Sequence, residues 1–305
     1  MRKLIAIVGP TASGKTALAI ALARGVPDVT FEAVNADSRQ VYRGMDIGTA
    51  KPTHAELEAL PHHLIDVVDP DEAFGLAQWL ELANEALAAI WERGHVPMLV
   101  GGTGQYVWAL LEGWRVPEVP PNDEWRREQE ARPLEDLLAE LSRVDPASEE
   151  YIQPHNVRRV IRALEVYHAT GKPFSYWRTK DTPDFDSLAI GLRLSRTALY
   201  ERIDQRVDTM VAGGFPDEVR GLVERGFDCA LPSMSGIGYR EMCAQSRGEI
   251  TLEEAVRRTK TGTHNLARHQ SSWFKVSDER IRWIDAGDSA ADEGGRLVKE
   301  WLNGA

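Results

Sequence analysis

The chain contains 305 residues, of which 43% are hydrophobic and 27% are charged, so its composition is that of a globular protein with one large domain or two smaller ones. No apolar run approaches the roughly 20 residues that a membrane span needs, which argues against an integral membrane protein and against a membrane partner. The net charge of −11 by itself argues against nucleic acid, but the arginines are concentrated in a few short stretches, so the composition does not exclude RNA.

The amino-terminal part of the chain predicts a strand, a glycine-rich loop and a helix, in that order. Residues 3–8 form an apolar run that is too short for the core of a signal peptide, and residues 15–24 form an alanine-rich helix. The loop between them fits the phosphate-binding pattern G-x-x-x-x-G-K-[ST]. Its glycines let backbone N–H groups face phosphate oxygens, Lys15 adds a positive charge, and the Thr16 hydroxyl suits a Mg²⁺ ion. The predicted diphosphate-binding residues are Gly9, Pro10, Thr11, Ala12, Ser13, Gly14, Lys15 and Thr16.

Two further strands end in polar or glycine-rich turns. The strand at 31–35 leads into Asp37, the strand at 97–100 leads into a turn at 101–104, and an amphipathic helix at 76–93 separates them. Strands that alternate with helices predict a parallel sheet, in which ligands bind beyond the carboxyl ends of the strands. We therefore expect one shared site to be formed by the turns at 9–16, 36–40 and 101–104.

A proline-rich stretch at 116–121 predicts a domain boundary, because the pattern beyond it becomes helical and highly charged. A loop at 172–186 then precedes another strand at 187–194, which returns the chain to the sheet. Helices are predicted at 123–131, 134–142, 155–170, 197–212, 216–225, 236–245 and 252–274. The expected fold is α/β: a P-loop NTPase-like parallel sheet core flanked by helices, formed by residues 1–117 and 187–305, with a small all-helical insertion domain at 118–186.

The chain has two cysteines, Cys229 and Cys243. They lack the spacing of metal ligands, and two cysteines do not reach the density of a disulfide-stapled protein. A reducing cytoplasm is therefore the expected location.

The phosphate loop does not specify the reaction, since kinases, hydrolases and transferases all use it. An NTP hydrolase or kinase usually also has an apolar strand that ends in an aspartate and helps to hold Mg²⁺. Here the strand at 97–100 ends in Gly101, and Asp66 follows only a short apolar run. The pattern therefore favours a reaction other than NTP hydrolysis.

Asp37 begins the segment Asp37-Ser38-Arg39-Gln40 at the end of the second predicted strand. Its carboxylate could bind a metal, cap a following helix or accept a proton. The neighbouring hydroxyl, guanidinium and amide groups are suited to the edge of a nucleobase. The turn at 101–106 has a similar mixture of groups, and it could equally be a glycine-rich turn before a helix.

Eight short segments, taken in order, resemble the tRNA dimethylallyltransferase (IPP transferase) family. They span the chain from about residue 4 to residue 275, and two of them are the phosphate loop and the Asp37 segment, extended to Val41-Tyr42. The other six are Gly48-Thr49-Ala50-Lys51-Pro52, His62-His63-Leu64-Ile65-Asp66, Gly101-Gly102-Thr103-Gly104, Arg159-Val160-Ile161-Arg162-Ala163-Leu164-Glu165, Gly171-Lys172-Pro173 and Gly236-Ile237-Gly238-Tyr239-Arg240-Glu241. A lone phosphate loop would be weak support for a family, whereas an ordered series over most of the chain is strong.

The resemblance implies a definite reaction. Dimethylallyl diphosphate would enter one end of a channel, and the adenine next to the anticodon of tRNA (position 37) would be flipped into the other end. The adenine N6 would attack C1 of the allyl group, and diphosphate would leave. The resemblance also implies Mg²⁺ as the cofactor and a helical insertion that grips the anticodon stem-loop. We expect a monomer, because the sequence has no coiled-coil or self-pairing segment.

The resemblance also assigns roles to individual residues. Asp37 matches the general base that removes a proton from N6, whereas Lys15, Thr16 and Arg206 would stabilise the departing diphosphate. Arg202, one helical turn from Arg206, would complete the clamp, although the pair could instead form a solvated helix face. The tRNA-binding residues carried over are Asp37, Ser38, Arg39, Gln40, Thr103, Arg126, Arg158, Arg159, Val160, Ile161, Arg162, Ser235, Gly236, Ile237, Gly238, Tyr239 and Arg240.

Two predicted helices carry basic residues that are expected to contact RNA phosphates. In the helix at 155–168, apolar residues face inward at helical spacing, which leaves Arg158, Arg159 and Arg162 facing outward. The last long helix usually has a denser basic run in this family than it has here, so we expect a lower RNA affinity and a shallower salt dependence than in a typical member. Its weaker basic stripe consists of Arg257, Lys260, His264 and Arg268.

Three alternatives stay open. An adenylate prenyltransferase would share the phosphate loop and the general base but would not need the insertion or the arginines at 158–162. A small-molecule P-loop kinase would consume ATP, and the missing strand-end aspartate argues against it. A non-catalytic nucleotide-binding module would not depend on Asp37.

Overall fold

The computed structural model describes residues 2–304, and within them six parallel strands form one sheet. The strands are β1 (Arg2–Val8), β2 (Phe31–Asn35), β3 (His62–His63), β4 (Val96–Gly101), β5 (Phe185–Arg193) and β6 (Ile281–Asp285). Their order across the sheet is β3-β2-β4-β1-β5-β6, and every adjacent pair is parallel. The carboxyl ends of β1, β2 and β4 therefore open at the same edge.

Twelve α-helices connect and flank the strands within the described residues. They are α1 (Lys15–Gly25), α2 (His54–Ala59), α3 (Leu76–Glu92), α4 (Gly104–Leu111), α5 (Asp123–Glu130), α6 (Leu134–Val144), α7 (Val157–Thr170), α8 (Arg196–Ala212), α9 (Phe215–Glu224), α10 (Tyr239–Ser246), α11 (Leu252–Trp273) and α12 (Ala290–Leu302). Short 3₁₀ turns occur at Pro146–Glu150, Phe174–Trp177 and Ser233–Ser235. The predicted α/β parallel-sheet fold is confirmed.

The chain divides into two compact units. The first consists of residues 2–74, 79–111 and 184–304 and contains the whole sheet. The second consists of residues 75–78 and 112–183 and contains α5, α6 and α7. Assignment of RNA binding to the second unit stays a prediction.

The main core of the first unit lies between the sheet and the helix pair α1 and α12. Ile5 and Ile7 of β1 are fully buried in this cluster, where they pack with Leu18 and Leu22 of α1 and Val298 of α12. β1 is inaccessible on both faces, which explains why residues 4–8 are continuously apolar instead of alternating. This packing fixes the end of β1 and hence the start of the phosphate loop.

A second cluster of the first unit supports the segment that follows Asp37. Phe215 of α9 and Tyr239 of α10 meet edge to face at 5.0 Å, and a Cβ atom on Gly48 would lie 2.2 Å from the Phe215 ring. The Tyr239 hydroxyl and the N–H groups of residues 46 and 47 donate to Glu218 at 2.6, 2.9 and 2.6 Å. Gly48 is therefore required at this position, because a side chain there would overlap the Phe215 ring.

Cys229 and Cys243 form a disulfide bond, with their Cα atoms 5.9 Å apart. The low cysteine count predicted no disulfide bond, and that prediction is wrong. Cys243 lies on α10 and Cys229 on the connection before it, and both pack against the cluster around Phe215. Packing on a common core brings the two sulfur atoms together, which the 14-residue separation does not reveal.

Five elements were not among the strands and helices predicted from the sequence: α2, β3, α4, β6 and α12. β3 has only two residues, and β6 has the burial of a sheet edge, with only Ile281 and Ile284 fully covered. Neither gives a long apolar pattern. Over residues 2–304, no helix is both long enough and apolar enough to cross a membrane.

Candidate active site

The phosphate loop connects β1 to α1 in a constrained turn. Gly9 has a φ of +147°, and a Cβ atom there would lie 2.9 Å from the Leu192 carbonyl oxygen, so only glycine fits. Ala12 adopts the left-handed conformation, with φ of +61°, and Lys15 donates from Nζ to the Pro10 carbonyl at 2.8 Å. A turn of this kind at the amino terminus of a helix is suited to anions, because the first N–H groups of the helix lack internal partners.

Gln270 of α11 joins the phosphate loop to the turn after β4. Its Oε1 accepts the N–H of Thr11 at 2.7 Å, and its Nε2 donates to the Gly102 carbonyl at 3.0 Å. The Thr11 N–H therefore already has a protein partner, and the binding of diphosphate by residues 9–16 stays a prediction. Sequence patterns did not identify Gln270, because a glutamine on a polar helix gives no sign of its burial.

The turn after β2 holds Asp37 in a defined orientation. Asp37 Oδ1 accepts the N–H of Arg39 at 2.8 Å, and the Asp37 N–H donates to Asn35 Oδ1 at 3.0 Å. Asn35 is buried and also donates to the Leu64 carbonyl at 3.0 Å. Within the described residues, Asp37 Oδ2 has no hydrogen bond or ion pair. One carboxylate oxygen thus shapes the turn, and the other is free to act on a ligand.

Thr103 binds the turn after β4 to the Asp37 turn. Its Oγ1 accepts the N–H of Ser38 at 3.1 Å, and its own N–H donates to the Ala36 carbonyl at 3.1 Å. The two backbones approach so closely that a Cβ atom on Gly101 would lie 2.2 Å from the Ala36 carbonyl oxygen. Together with Gln270, these contacts bring all three turns to one edge of the sheet.

Asp37 lies close enough to Lys15 and Arg206 for its negative charge to act on the pKa of both cations. Burial lowers the pKa of Lys15 to about 8; the negative charge of Asp37 opposes this effect, and the positive charge of Arg206 adds to it. Burial likewise lowers the pKa of Arg206, while Asp37 and Glu56 raise it. The site therefore concentrates two partly buried cations beside one carboxylate, an arrangement suited to an anionic group with several charges.

Thr16 follows Lys15 at the start of α1 and is partly exposed, and its hydroxyl makes no hydrogen bond within residues 2–304. Those residues contain no group of three or more His, Cys, Asp or Glu side chains that could hold a metal ion. Mg²⁺ commonly binds through one or two protein oxygens, with waters and phosphate oxygens completing its shell. The Thr16 hydroxyl beside a phosphate-binding turn therefore fits Mg²⁺ brought with a diphosphate.

Several residues predicted to bind substrate or tRNA have other partners in the first unit. Arg202 is exposed on α8, unlike the partly buried Arg206. Arg39 donates to the Pro232 and Ser233 carbonyls at 3.1 and 3.2 Å, and Gln40 donates to the carbonyls of residues 49 and 50. The side chain of Tyr239 is buried in the core, so the predicted RNA contact of Tyr239, which stays a prediction, is left to its backbone.

The segment before α10 nevertheless keeps exposed polar groups. Ser235 and Arg240 are exposed, Ile237 is partly buried against Gly262, and Gly236 and Gly238 are buried backbone positions. The Arg240 guanidinium pairs with Glu241 at 2.7 Å but is 69% exposed. Within 235–240, the side chains at the two ends are thus the ones available to a partner.

Several residues of the second unit that were predicted to contact RNA are buried or paired with other side chains. Val160 and Ile161 are buried in the core of this unit, so their predicted RNA contacts, which stay predictions, are left to their backbone. Arg126 and Arg162 do not project freely, because both bind the buried carboxylate of Glu165, at 2.7 and 2.5 Å. Burial alone would raise the pKa of Glu165, but hydrogen bonds from Arg126, from the N–H of residue 122 and from Arg162 lower it overall. The arginines exposed on α7 are Arg158 and Arg159.

The basic stripe of α11 is also partly neutralised. Lys260 pairs with Asp208 at 2.7 Å, and His264 Nε2 lies 2.9 Å from Asp204 Oδ1, both on α8. Arg257 pairs with Glu254 on its own helix, and Arg268 is exposed beside Asn265. The Lys260–Asp208 ion pair links α11 to α8, and with the Arg257–Glu254 pair it leaves less positive charge for an RNA than the sequence count predicts. Both pairs are in line with the expected low affinity, which stays a prediction.

A parallel α/β sheet with a glycine phosphate loop at its carboxyl edge places this chain among P-loop proteins. A family model described as IPP transferase matches residues 40–277. A tRNA dimethylallyltransferase of Roseiflexus sp. (strain RS-1) is 50% identical over 99% of this chain and 100% of that protein, and one of Dehalococcoides mccartyi is 43% identical over 98% and 92%. The chain belongs to the IPP transferase family, as the ordered segments predicted.

Two solved structures are similar to this chain over all of its length. The crystal structure of the full-length tRNA isopentenylpyrophosphate transferase from Bacillus halodurans has 39% identity and a TM-score of 0.72, and 96% of that chain is covered. A eukaryotic dimethylallyltransferase, described in crystallographic snapshots as acting on tRNA, has 29% identity and a TM-score of 0.85, with 80% of it covered.

Proposed function

We propose that this protein transfers a dimethylallyl group from dimethylallyl diphosphate to N6 of the adenine next to the anticodon (position 37) of tRNA, releasing diphosphate. The observation that carries the proposal is the meeting of Lys15, Arg206 and Asp37 beside the phosphate loop at one sheet edge. Cations that hold a diphosphate and a free carboxylate oxygen that accepts a proton are the two requirements of this reaction. Curated relatives over nearly the whole chain bear the name tRNA dimethylallyltransferase, which supports the same substrates.

The leaving group is stabilised by fixed positive groups. When the bond between C1 and oxygen breaks, negative charge grows on the diphosphate, so donors already aimed at it lower the barrier. The N–H groups at the start of α1, Lys15 and Arg206 supply this charge without moving. Mg²⁺, held by the Thr16 hydroxyl and the diphosphate, would neutralise part of the same charge.

The acceptor must lose a proton as it forms its new bond. The N6 lone pair attacks C1 of the allyl group, the C1–oxygen bond breaks, and the electron pair leaves with the diphosphate. The N6–H proton passes to Asp37 Oδ2, the oxygen without a partner, while Oδ1 keeps the turn in place by accepting the Arg39 N–H.

Exposed residues are the ones that we propose contact the RNA phosphates. Ser235, Arg240 and Arg268 in the first unit and Arg158 and Arg159 in the second are exposed and suited to phosphate contacts. We further propose that the protein works as a monomer in the cytoplasm, where its tRNA substrate occurs.

The test is mass spectrometry of nucleosides from an unmodified anticodon stem-loop after incubation with dimethylallyl diphosphate and Mg²⁺. A five-carbon addition to one adenosine is the expected result. AMP serves as the competing acceptor: efficient transfer to AMP with none to the stem-loop would replace the proposal with an adenylate prenyltransferase, and ATP consumption would point to a kinase.

The Asp37→Asn variant separates the role of Asp37 as general base from its role in holding the turn. Asparagine keeps an oxygen to accept the Arg39 N–H but cannot take a proton, so kcat should fall by about 10²–10⁴-fold. Binding of dimethylallyl diphosphate should change by less than about twofold, since the phosphate loop is untouched. Asp288→Asn, at an exposed loop position, is the matched control. Equal kcat values for the two variants would refute the role of Asp37.

A further inference from the structure

Tyr106 is a tyrosine that the backbone ties to the Asp37 turn. It lies in the first turn of α4, and its N–H donates to the Thr103 carbonyl at 2.9 Å. Thr103 in turn donates its N–H to the Ala36 carbonyl at 3.1 Å. Two hydrogen bonds therefore fix the Tyr106 backbone relative to the residue that precedes Asp37.

The ring of Tyr106 is held as firmly as its backbone. It stacks on the Trp79 ring with centroids 4.5 Å apart and an interplanar angle of 22°. Trp79 is fully buried, and its Nε1 donates to the Asn35 carbonyl at 3.0 Å. Asn35 is the residue that orients Asp37. The phenol thus has a fixed direction, set by the same residues that set the carboxylate.

The hydroxyl of Tyr106 has no hydrogen-bond partner within residues 2–304, although the residue is only 6% exposed. An unpaired hydroxyl in such a place costs about 1–3 kcal/mol unless water or a ligand satisfies it. Its atoms are not among the fully enclosed polar atoms that lack a partner, so the hydroxyl borders accessible space. A phenol held in this way is a preformed contact for a bound group.

The protonation state of the phenol follows from its surroundings. Burial raises the pKa of Tyr106, the neighbouring Tyr42 and Asp37 raise it further, and Arg39 opposes them. The phenol therefore stays protonated at neutral pH and can donate a hydrogen bond. Beside it, Asp37 presents an oxygen that can only accept. The charge of Asp37 reaches the phenol, and shared contacts through Asn35 and Thr103 fix both residues, so the site offers one donor and one acceptor.

We propose that Tyr106 is a specificity-determining residue for the acceptor base, with its hydroxyl donating to the adenine ring nitrogen beside N6, either N1 or N7. This inference rests on the proposed function. Adenine has an N–H donor at N6, flanked by the unprotonated ring nitrogens N1 and N7. The N6–H group matches the Asp37 carboxylate, which accepts, and a ring nitrogen matches the Tyr106 hydroxyl, which donates. Guanine presents an oxygen at the corresponding position, which would face the Asp37 carboxylate and be repelled.

The test combines a side-chain change with an atom change in the substrate. Stem-loops carrying adenine, 1-deazaadenine or 7-deazaadenine at the acceptor position are compared for wild type and for Tyr106→Phe, which keeps the ring on Trp79. For the contacted nitrogen, the deaza substitution should lower kcat/KM of the wild type about three- to tenfold. The same substitution should have no further effect in Tyr106→Phe, because the hydrogen bond is already absent.

Tyr42→Phe is the comparison variant: Tyr42 is equally buried and neighbours Tyr106, so this variant tests which of the two phenols contacts the base. The inference would be overturned if each deaza base lowered kcat/KM by the same factor in Tyr106→Phe as in the wild type. It would also be overturned if the effect of a deaza base on kcat/KM disappeared only in Tyr42→Phe. Thermal unfolding of each variant checks that the stacked core is intact. An inactive wild type on the adenine stem-loop would instead refute the proposed function.

Discussion

Gln270→Leu should loosen the candidate site from a position outside the three turns themselves. Leucine nearly preserves the volume of glutamine but removes both hydrogen bonds, to the Thr11 N–H and to the Gly102 carbonyl. Each backbone group would then be unpaired beside a buried side chain, at a cost of about 1–3 kcal/mol, so the free energy of unfolding should fall by about 2–6 kcal/mol. Because the phosphate loop loses its anchor, KM for dimethylallyl diphosphate should also rise.

Urea denaturation measures the stability change, and single-turnover prenyl transfer measures the change at the site. Gln270→Glu is a second variant: its oxygen can still accept from Thr11, but its other oxygen meets the Gly102 carbonyl and repels it. Gln205→Leu, at an exposed position of α8, is the control. If Gln270→Leu unfolds at the same urea concentration as the control and keeps the wild-type KM, the assigned link between the two turns is refuted.

Two further predictions concern ionisation and covalent bonding. Burial lowers the pKa of Lys15 to about 8, so the charged form that attracts diphosphate is complete below that pH and lost above it. The value of kcat/KM should therefore fall as pH rises through about 8. If the Lys15→Arg variant shows the same fall in kcat/KM above this pH, another group is responsible for it. Reduction of the Cys229–Cys243 bond, which spans 14 residues, should lower the free energy of unfolding by about 3 kcal/mol. Cys229→Ser should show the same loss and no response to reductant; equal urea midpoints with and without reductant in the wild type would contradict the bond.

Local sequence was enough to predict the parts of the site that depend on one segment at a time. The phosphate loop is one such part, because its glycines, Lys15 and Thr16 act through a turn that forms between one strand and one helix. The alternation of strands and helices likewise predicts a parallel sheet, and parallel strands place their carboxyl ends at one edge. That geometric rule was sufficient to place Asp37 at the same edge as the loop.

Tertiary structure decided which side chains are free to act. Arg158 and Arg162 look alike in the sequence, yet only Arg162 meets the buried Glu165, because α5 and α7 enclose that carboxylate. Gln270 and Tyr106 gained their places for the same reason: Gln270 meets turns distant along the chain, and Tyr106 stacks on Trp79 of α3. Periodicity reports the face of a helix, whereas pairing and burial depend on what packs against that face. The sequence by itself thus determined the fold and the phosphate loop, and only the packed chain decided how the acceptor side is built.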